Sequence, residues 1–218
     1  MKNMKKLLYL AIITSAALGG CSKGSSNHPH APTSIATVSI NGTLYNTVII
    51  GSQTWTAVNY NGTGGANYNN GANNITYGKL YTWAEAKAIL LPAGWRLPLR
   101  TDFDNLMIAI GETPINGGNY MVSGNEPLQI MSTKNWSSTN GTNQLGFAAE
   151  PAGLFNQVTS NNQQFTGLGT TALFISATSY YPNGSAPFTF VVGPVTAQLT
   201  NLVVLPTDRA SVRFVKDN

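Results

Sequence analysis

"LPAGWRLPLRTDFDNLMIAIG", residues 91–111, is the stretch on which the reading of the fold turns. Phe103, Leu106, Met107 and Ile110 fall at i, i+3, i+4 and i+7, the apolar stripe of an amphipathic helix. The spacing predicts a helix from Thr101 to near Gly111. Pro98 holds Leu97 extended just ahead of it. The same stretch gathers Arg96, Arg100, Asp102 and Asp104, a dense cluster for a chain in which 9% of residues are charged. Asp102 and Asp104 are two apart, so on a helix they point to different sides and form no acid–base pair. Both fall in the first turn, where negative charge suits the open N–H groups and the macrodipole. Asp104, three residues after Thr101, can complete a capping box. With Arg96 and Arg100 pairing to carboxylates, the cluster reads as a capped helix start with surface ion pairs: architecture, not chemistry.

Outward from this helix, Thr82 and Glu85 form a second capping box ahead of "WAEAKAIL" (83–90). Trp83, Ala86 and Leu90 then share a face. Earlier still, "ATVSI" (36–40) and "TLYNTVII" (43–50) flank Asn41-Gly42, a strong hairpin signal. "QTWTAVNY" (53–60) reads as a third strand. "NGTGGANYNNGANN" (61–74) has no apolar period and many turn residues; a loop this long is a candidate ligand-facing surface. Strand-like runs follow the helices at 128–131, 146–151, 172–178, 188–192, 197–205 and 211–217. Helices early and strands late imply an α+β fold: two short helices and a twisted antiparallel sheet with long loops.

The N-terminus carries an address. Lys2, Lys5 and Lys6 precede the short apolar run 7–17, and "LGGC" ends at Cys21. That is the layout of a secretory signal, and the run is too short to span a bilayer. Leu-Gly-Gly-Cys resembles the lipobox of bacterial lipoproteins, which implies a signal peptide over 1–20 and lipidation at Cys21. Residues 21–35 are then the lipidated cysteine and a flexible tether, leaving 36–218 as one domain. Without the three lysines the balance falls from 12 basic against 8 acidic residues to 9 against 8, so nucleic acid is not an expected partner. Cys21 is the one cysteine, and both histidines, His28 and His30, lie in the tether. The folded part thus lacks Cys and His for catalysis or metal binding, and no cofactor or metal is expected.

The segments "IGSQTWTAVNY" (50–60), "YGKLYTWAEA" (77–86), "PAGWRLP" (92–98), "TDFDNL" (101–106), "GFAAEPAG" (146–153) and "SVRFVKD" (211–217) occur in that order. Together they resemble the Fibrobacter succinogenes major paralogous domain. The resemblance implies a C-type-lectin-like fold in a secreted or lipid-anchored bacterial protein, and implies no activity. Relatives often carry Cys where this chain has Leu91 and Phe214, and the paired change predicts that these two side chains pack together.

No paired carboxylate motif is readable among Glu85, Glu112, Glu126, Glu150 and Asp208, so the chain is not expected to be an enzyme. Lectin-type calcium motifs are unmatched at 125–129 and 134–138. Metal-free sugar binding would use aromatic faces beside Asn, Gln and Ser. Tyr68, in the long loop, and Tyr180 and Tyr181, in "SYYPNGS", are the candidate ligand-binding residues. The four tryptophans are assigned to structure, and Arg213 to a semi-buried ion pair. The expected protein is a non-catalytic binding or adhesion module, lipid-anchored at the bacterial outer membrane, facing either the periplasm or the outside. Its expected partners are the membrane through the anchor, and a glycan or an envelope protein. The alternative is a structural subunit of a surface assembly, with an enzyme of unknown type third.

Overall fold

The computed structural model describes residues 34–218 apart from 69–70, 72–73, 113–120, 160–161, 195, 201 and 204. The signal, Cys21 and the tether to residue 33 lie outside the described residues.

Asn41 and Gly42 take φ of 49° and 81°, the left-handed pair that a two-residue hairpin turn requires. They join β1 (Ser34–Ile40) to β2 (Thr43–Ile50). With β3 (Gln53–Thr56) and β10 (Val215–Asp217) these form one antiparallel sheet in the order β1-β2-β3-β10. The expected third strand over 53–60 ends four residues early. The Ala57 N–H still donates to Asn46 O of β2, and the chain then follows the last segment: the Thr56 N–H donates to Phe214 O and the Tyr60 N–H to Val212 O.

Among the described residues three α-helices follow where two were expected. α1 (Asn74–Tyr77) is a single turn at the end of the long loop. α2 (Trp83–Ala88) starts at the Thr82–Glu85 capping box as read: the Glu85 N–H donates to Thr82 Oγ1 at 3.2 Å and the Thr82 N–H to Glu85 Oε2 at 2.8 Å. It stops at Ala88 because Ile89 is extended, which throws Leu90 into solvent and off the face shared by Trp83 and Ala86. α3 (Arg100–Ala109) begins one residue before the expected start. Its stripe, Phe103, Leu106, Met107 and Ile110, is fully buried. The cap differs from the reading. Leu99 occupies the cap position, and its N–H donates to Asp102 Oδ2 at 2.6 Å. Thr101 is exposed, and Asp104 instead faces Arg100 at 3.9 Å. The third position after the cap does the capping, so with the cap at Leu99, two residues before Thr101, the role passes from Asp104 to Asp102.

A second sheet has the order β4-β9-β8-β7, from β4 (Met121–Ser123), β7 (Ala172–Ser179), β8 (Pro187–Gly193) and β9 (Thr196–Thr200). Residues 126–129 form a 3-10 helix led by Pro127, where a strand over 128–131 was expected. The separate hairpin β5 (Ala152–Thr159) and β6 (Asn162–Leu168) was not legible, since "NQQFTGL" reads as polar loop. It is held by tertiary rings: Phe155 and Phe165 lie 4.9 Å apart. The domain is thus α+β with antiparallel sheets.

Trp55 sits at the core centre with Phe103 and Phe147 at 5.6 and 5.5 Å, and Phe103 stacks on Phe190 at 4.9 Å. A second cluster holds Tyr60, Tyr81, Leu173 and Phe214, with Leu91 packed against it. Leu91 and Phe214 therefore belong to the same apolar region of the fold.

Candidate functional site

Arg213 is fully buried, and its contacts shape one cleft of the molecule. Nε donates to Asn59 Oδ1 at 2.6 Å, one terminal nitrogen to Thr56 O at 2.8 Å and Phe147 O at 2.7 Å, and the other to Ala148 O at 2.8 Å. The guanidinium also faces the Phe147 ring at 4.8 Å. The expected semi-buried ion pair is replaced by carbonyl and amide acceptors. One planar fork thereby staples segment 56–59 to segment 147–148, a task that Lys could not perform. Burial pushes the guanidinium down, to about 9, with Glu150 opposing the shift, so it stays charged at neutral pH.

The two stapled segments are walls of a cleft of about 210 Å³. Its rim carries Leu44, Val58 and Ile75, exposed to 68%, 42% and 88%. Large apolar side chains this exposed, gathered around one concavity, mark a contact surface more than scattered ones do. The polar lining is Thr43, Asn59, Asn61, Thr76, Glu150 and Tyr45. The Tyr45 hydroxyl donates to Asn61 Oδ1 at 2.9 Å, which leaves the Asn61 amide nitrogen to donate elsewhere. Ala148 in the wall has φ of +50°, a conformation rare for residues with a Cβ. It is held there by its N–H donating to Asn143 Oδ1 at 2.7 Å and its carbonyl accepting from Arg213. Gly78 closes the floor: a Cβ there would meet Asn59 Cβ at 2.6 Å.

Glu150 is the one carboxylate lining this cleft. Burial raises its carboxyl above the ordinary carboxylate value, and Asn135, Ser132, Arg213 and Lys134 pull it partly back. Asn135 Nδ2 donates to Oε2 at 2.8 Å. Tyr77 is raised by burial and then by the charge of Glu150. A raised folded-state value means that stability is highest with the group protonated and falls as pH rises through that value. Thermal melts of Glu150→Gln against the parent, between about pH 4 and about pH 7, should show the parent losing ground relative to the variant as pH rises. A difference that is flat across this range would show that Glu150 is solvated like any surface carboxylate.

The sequence-predicted residues fall elsewhere. Tyr68 is half-buried, its ring 5.0 Å from Phe165 of β6. Tyr180 and Tyr181 follow β7, 5.0 Å apart, with Tyr180 also 4.9 Å from Phe188; Tyr181 is exposed and Tyr180 half-buried. Tyr68 and the tyrosine pair thus have different ring partners, and none of the three lines the cleft. Cys21 lies outside the described residues. Trp55 and Trp136 are buried, and the Trp83 indole donates to Ser176 O at 3.0 Å, a structural role. The residues missed from sequence, Leu44, Val58 and Ile75, had no signal, because only their joint exposure is informative.

The charged cluster of 96–104 is architecture, but it is not superficial. Arg96 ion-pairs with Asp102, which is almost fully buried, and with Asp217 at 3.0 Å. Gln53 Nε2 donates to both carboxylates, at 2.6 and 2.9 Å. The network ties α3 to β3 and β10. Among the described residues no three of His, Cys, Asp and Glu gather to hold a metal ion.

A family model for the Fibrobacter succinogenes major domain matches residues 48–216. The chain belongs to this family. The Fibrobacter succinogenes major domain of this chain spans Val58, Asn59, Asn61, Ile75, Ala148, Glu150 and Arg213, so most of the cleft and its staple lie inside the match, while Leu44 and Tyr45 precede it. No curated protein and no solved structure matches the chain.

Proposed function

We propose that the chain is a lipid-anchored, non-catalytic binding module of the bacterial cell envelope, with a C-type-lectin-like domain that takes a glycan in the Leu44–Val58–Ile75 cleft. The observation that carries this reading is the pairing of an apolar rim with a sparse polar floor. Ring C–H faces of a sugar suit the rim. Its hydroxyls suit the Glu150 carboxylate as acceptor, the Asn61 amide as donor, and the Thr43 and Thr76 hydroxyls as either. The neighbouring charges of Arg213 and Lys134 offset the carboxylate, which favours a neutral ligand over an ammonium group or calcium. A solitary carboxylate supports binding over hydrolysis, which uses two. The signal-like 1–20 and the lipobox-like residues ending at Cys21 support an outer-membrane address, on either face.

A glycan array probed with the chain from residue 21 onward, carrying Cys21→Ser, tests this with calcium and with a chelator. The expected result is chelator-resistant binding weakened tenfold or more by the double variant Glu150→Gln, Asn61→Ala, about 1.4 kcal/mol. Loss instead in the Tyr68, Tyr180, Tyr181 triple alanine variant would move the site to the tyrosine loops. Binding abolished by the chelator would overturn the metal-free reading. Absence of binding by the folded protein would favour the structural-subunit alternative.

A further inference from the structure

β1 is an edge. Among the described residues it pairs only with β2. The two-residue turn makes Ile40 and Thr43 the first hydrogen-bonded pair of the ladder. Alternation then turns the N–H and C=O of Thr37 and Ser39 away from β2, toward the open side. A register shift lies between Ser34 and Thr37, and the pairing is regular from Thr37 to Ile40.

Proteins usually protect such an edge with lysine, proline or an inward charge. β1 carries no lysine, proline or charge, and its one irregularity, the register shift, precedes the 37–40 ladder. No Asp, Glu, Lys or Arg occurs from Ser34 to Gly78, a stretch that supplies β1, β2 and β3. The neighbouring strand exposes Leu44 and Ile49. The family match begins at residue 48, so β1 lies ahead of it.

We infer that the β1 edge pairs with β1 of a second copy of this chain, joining two four-stranded sheets into one. Self-complementarity favours this occupant: Thr37 and Ser39, whose backbone groups face outward, are uncharged and exposed, and a two-fold axis makes them each other's partners. A two-fold interface sets each strand against itself, so any charge near the axis would face its own copy. An uncharged strand beside an uncharged strand removes that penalty. With the axis at Val38, Thr37 of one copy stands opposite Ser39 of the partner subunit, and the two outward pairs exchange their backbone bonds. The core face of each strand, Val38 and Ile40, stays buried in its own domain.

Sedimentation velocity on the chain from residue 21 onward, with Cys21→Ser, tests this across a concentration series. The expected result is a concentration-dependent dimer. Ser39→Lys should weaken it tenfold or more while leaving Tm unchanged at concentrations where the chain is monomeric, because the Ser39 side chain is exposed in the monomer. The double variant Thr37→Cys, Ser39→Cys should oxidise to a dimer whose peptide map joins position 37 to position 39. A monomer at every concentration up to about 1 mM would overturn the inference. So would a dimer indifferent to Ser39→Lys. A dimer that appears only after deletion of residues 22–33 would also overturn it, by assigning the edge to the chain's own leading segment.

Discussion

Replacing Arg213 with alanine lowers the stability of the domain by about 3–5 kcal/mol, the scale expected when several buried neutral acceptors lose a charged donor and a cavity opens beside them. The expected reading is a large fall in the denaturant midpoint at unchanged slope. The guanidinium donates to Asn59, Thr56, Phe147 and Ala148, all at 2.6–2.8 Å. Alanine strands these acceptors in a place without solvent and leaves a cavity beside Phe147 and Phe174. Lysine at 213 should recover only part of the loss. Its ammonium keeps the charge but cannot reach acceptors spread around a planar fork. Because the fork joins both walls of the cleft, ligand binding should fall with stability in both variants. A loss below about 1 kcal/mol in Arg213→Ala would mean that the walls hold without the staple.

The second large effect is at Asp102. Its carboxylate accepts from Arg96, Gln53 and the Leu99 N–H, and its side chain is 3% exposed. Asp102→Ala should cost about 3 kcal/mol, by removing the α3 cap and leaving Arg96 and Gln53 without their buried partner. The control is Asp217→Ala. Asp217 holds the outer side of the same arginine, but its side chain is 68% exposed. Water and salt replace that contact, so the midpoint should scarcely move. Equal losses in the two variants would show that Arg96, and not burial, sets the energetics of the network.

Asp102 also shows how far the residues alone reach. The apolar spacing of Phe103, Leu106, Met107 and Ile110 was enough to name the helix and its buried face, because periodicity is a property of the chain. The cap required the start to be known to one residue, and that start is settled by contacts from β3 and β7: Gln53 reaches Asp102, and Thr178 Oγ1 accepts from the Arg100 N–H at 3.0 Å. Local signals place an element well and its ends poorly. The Thr82–Glu85 box was legible for the complementary reason: all its partners lie within four residues.

What the sequence by itself determined is local or cumulative: the Asn41-Gly42 hairpin, the α2 cap, the α3 stripe, the α+β class and the family, whose motifs recur in order along 48–216. Tertiary structure alone decided the rest. The polar strand "NQQFTGL" became β6 because Phe165 found Phe155 and Tyr68. Arg213 became a staple because a carbonyl cage formed around it, although its place in an alternating strand suggested an ion pair. The cleft joins residues from Leu44 to Glu150. Each of these depends on which distant groups are left to satisfy a buried donor or cover an apolar surface, and that is settled only when the chain closes on itself.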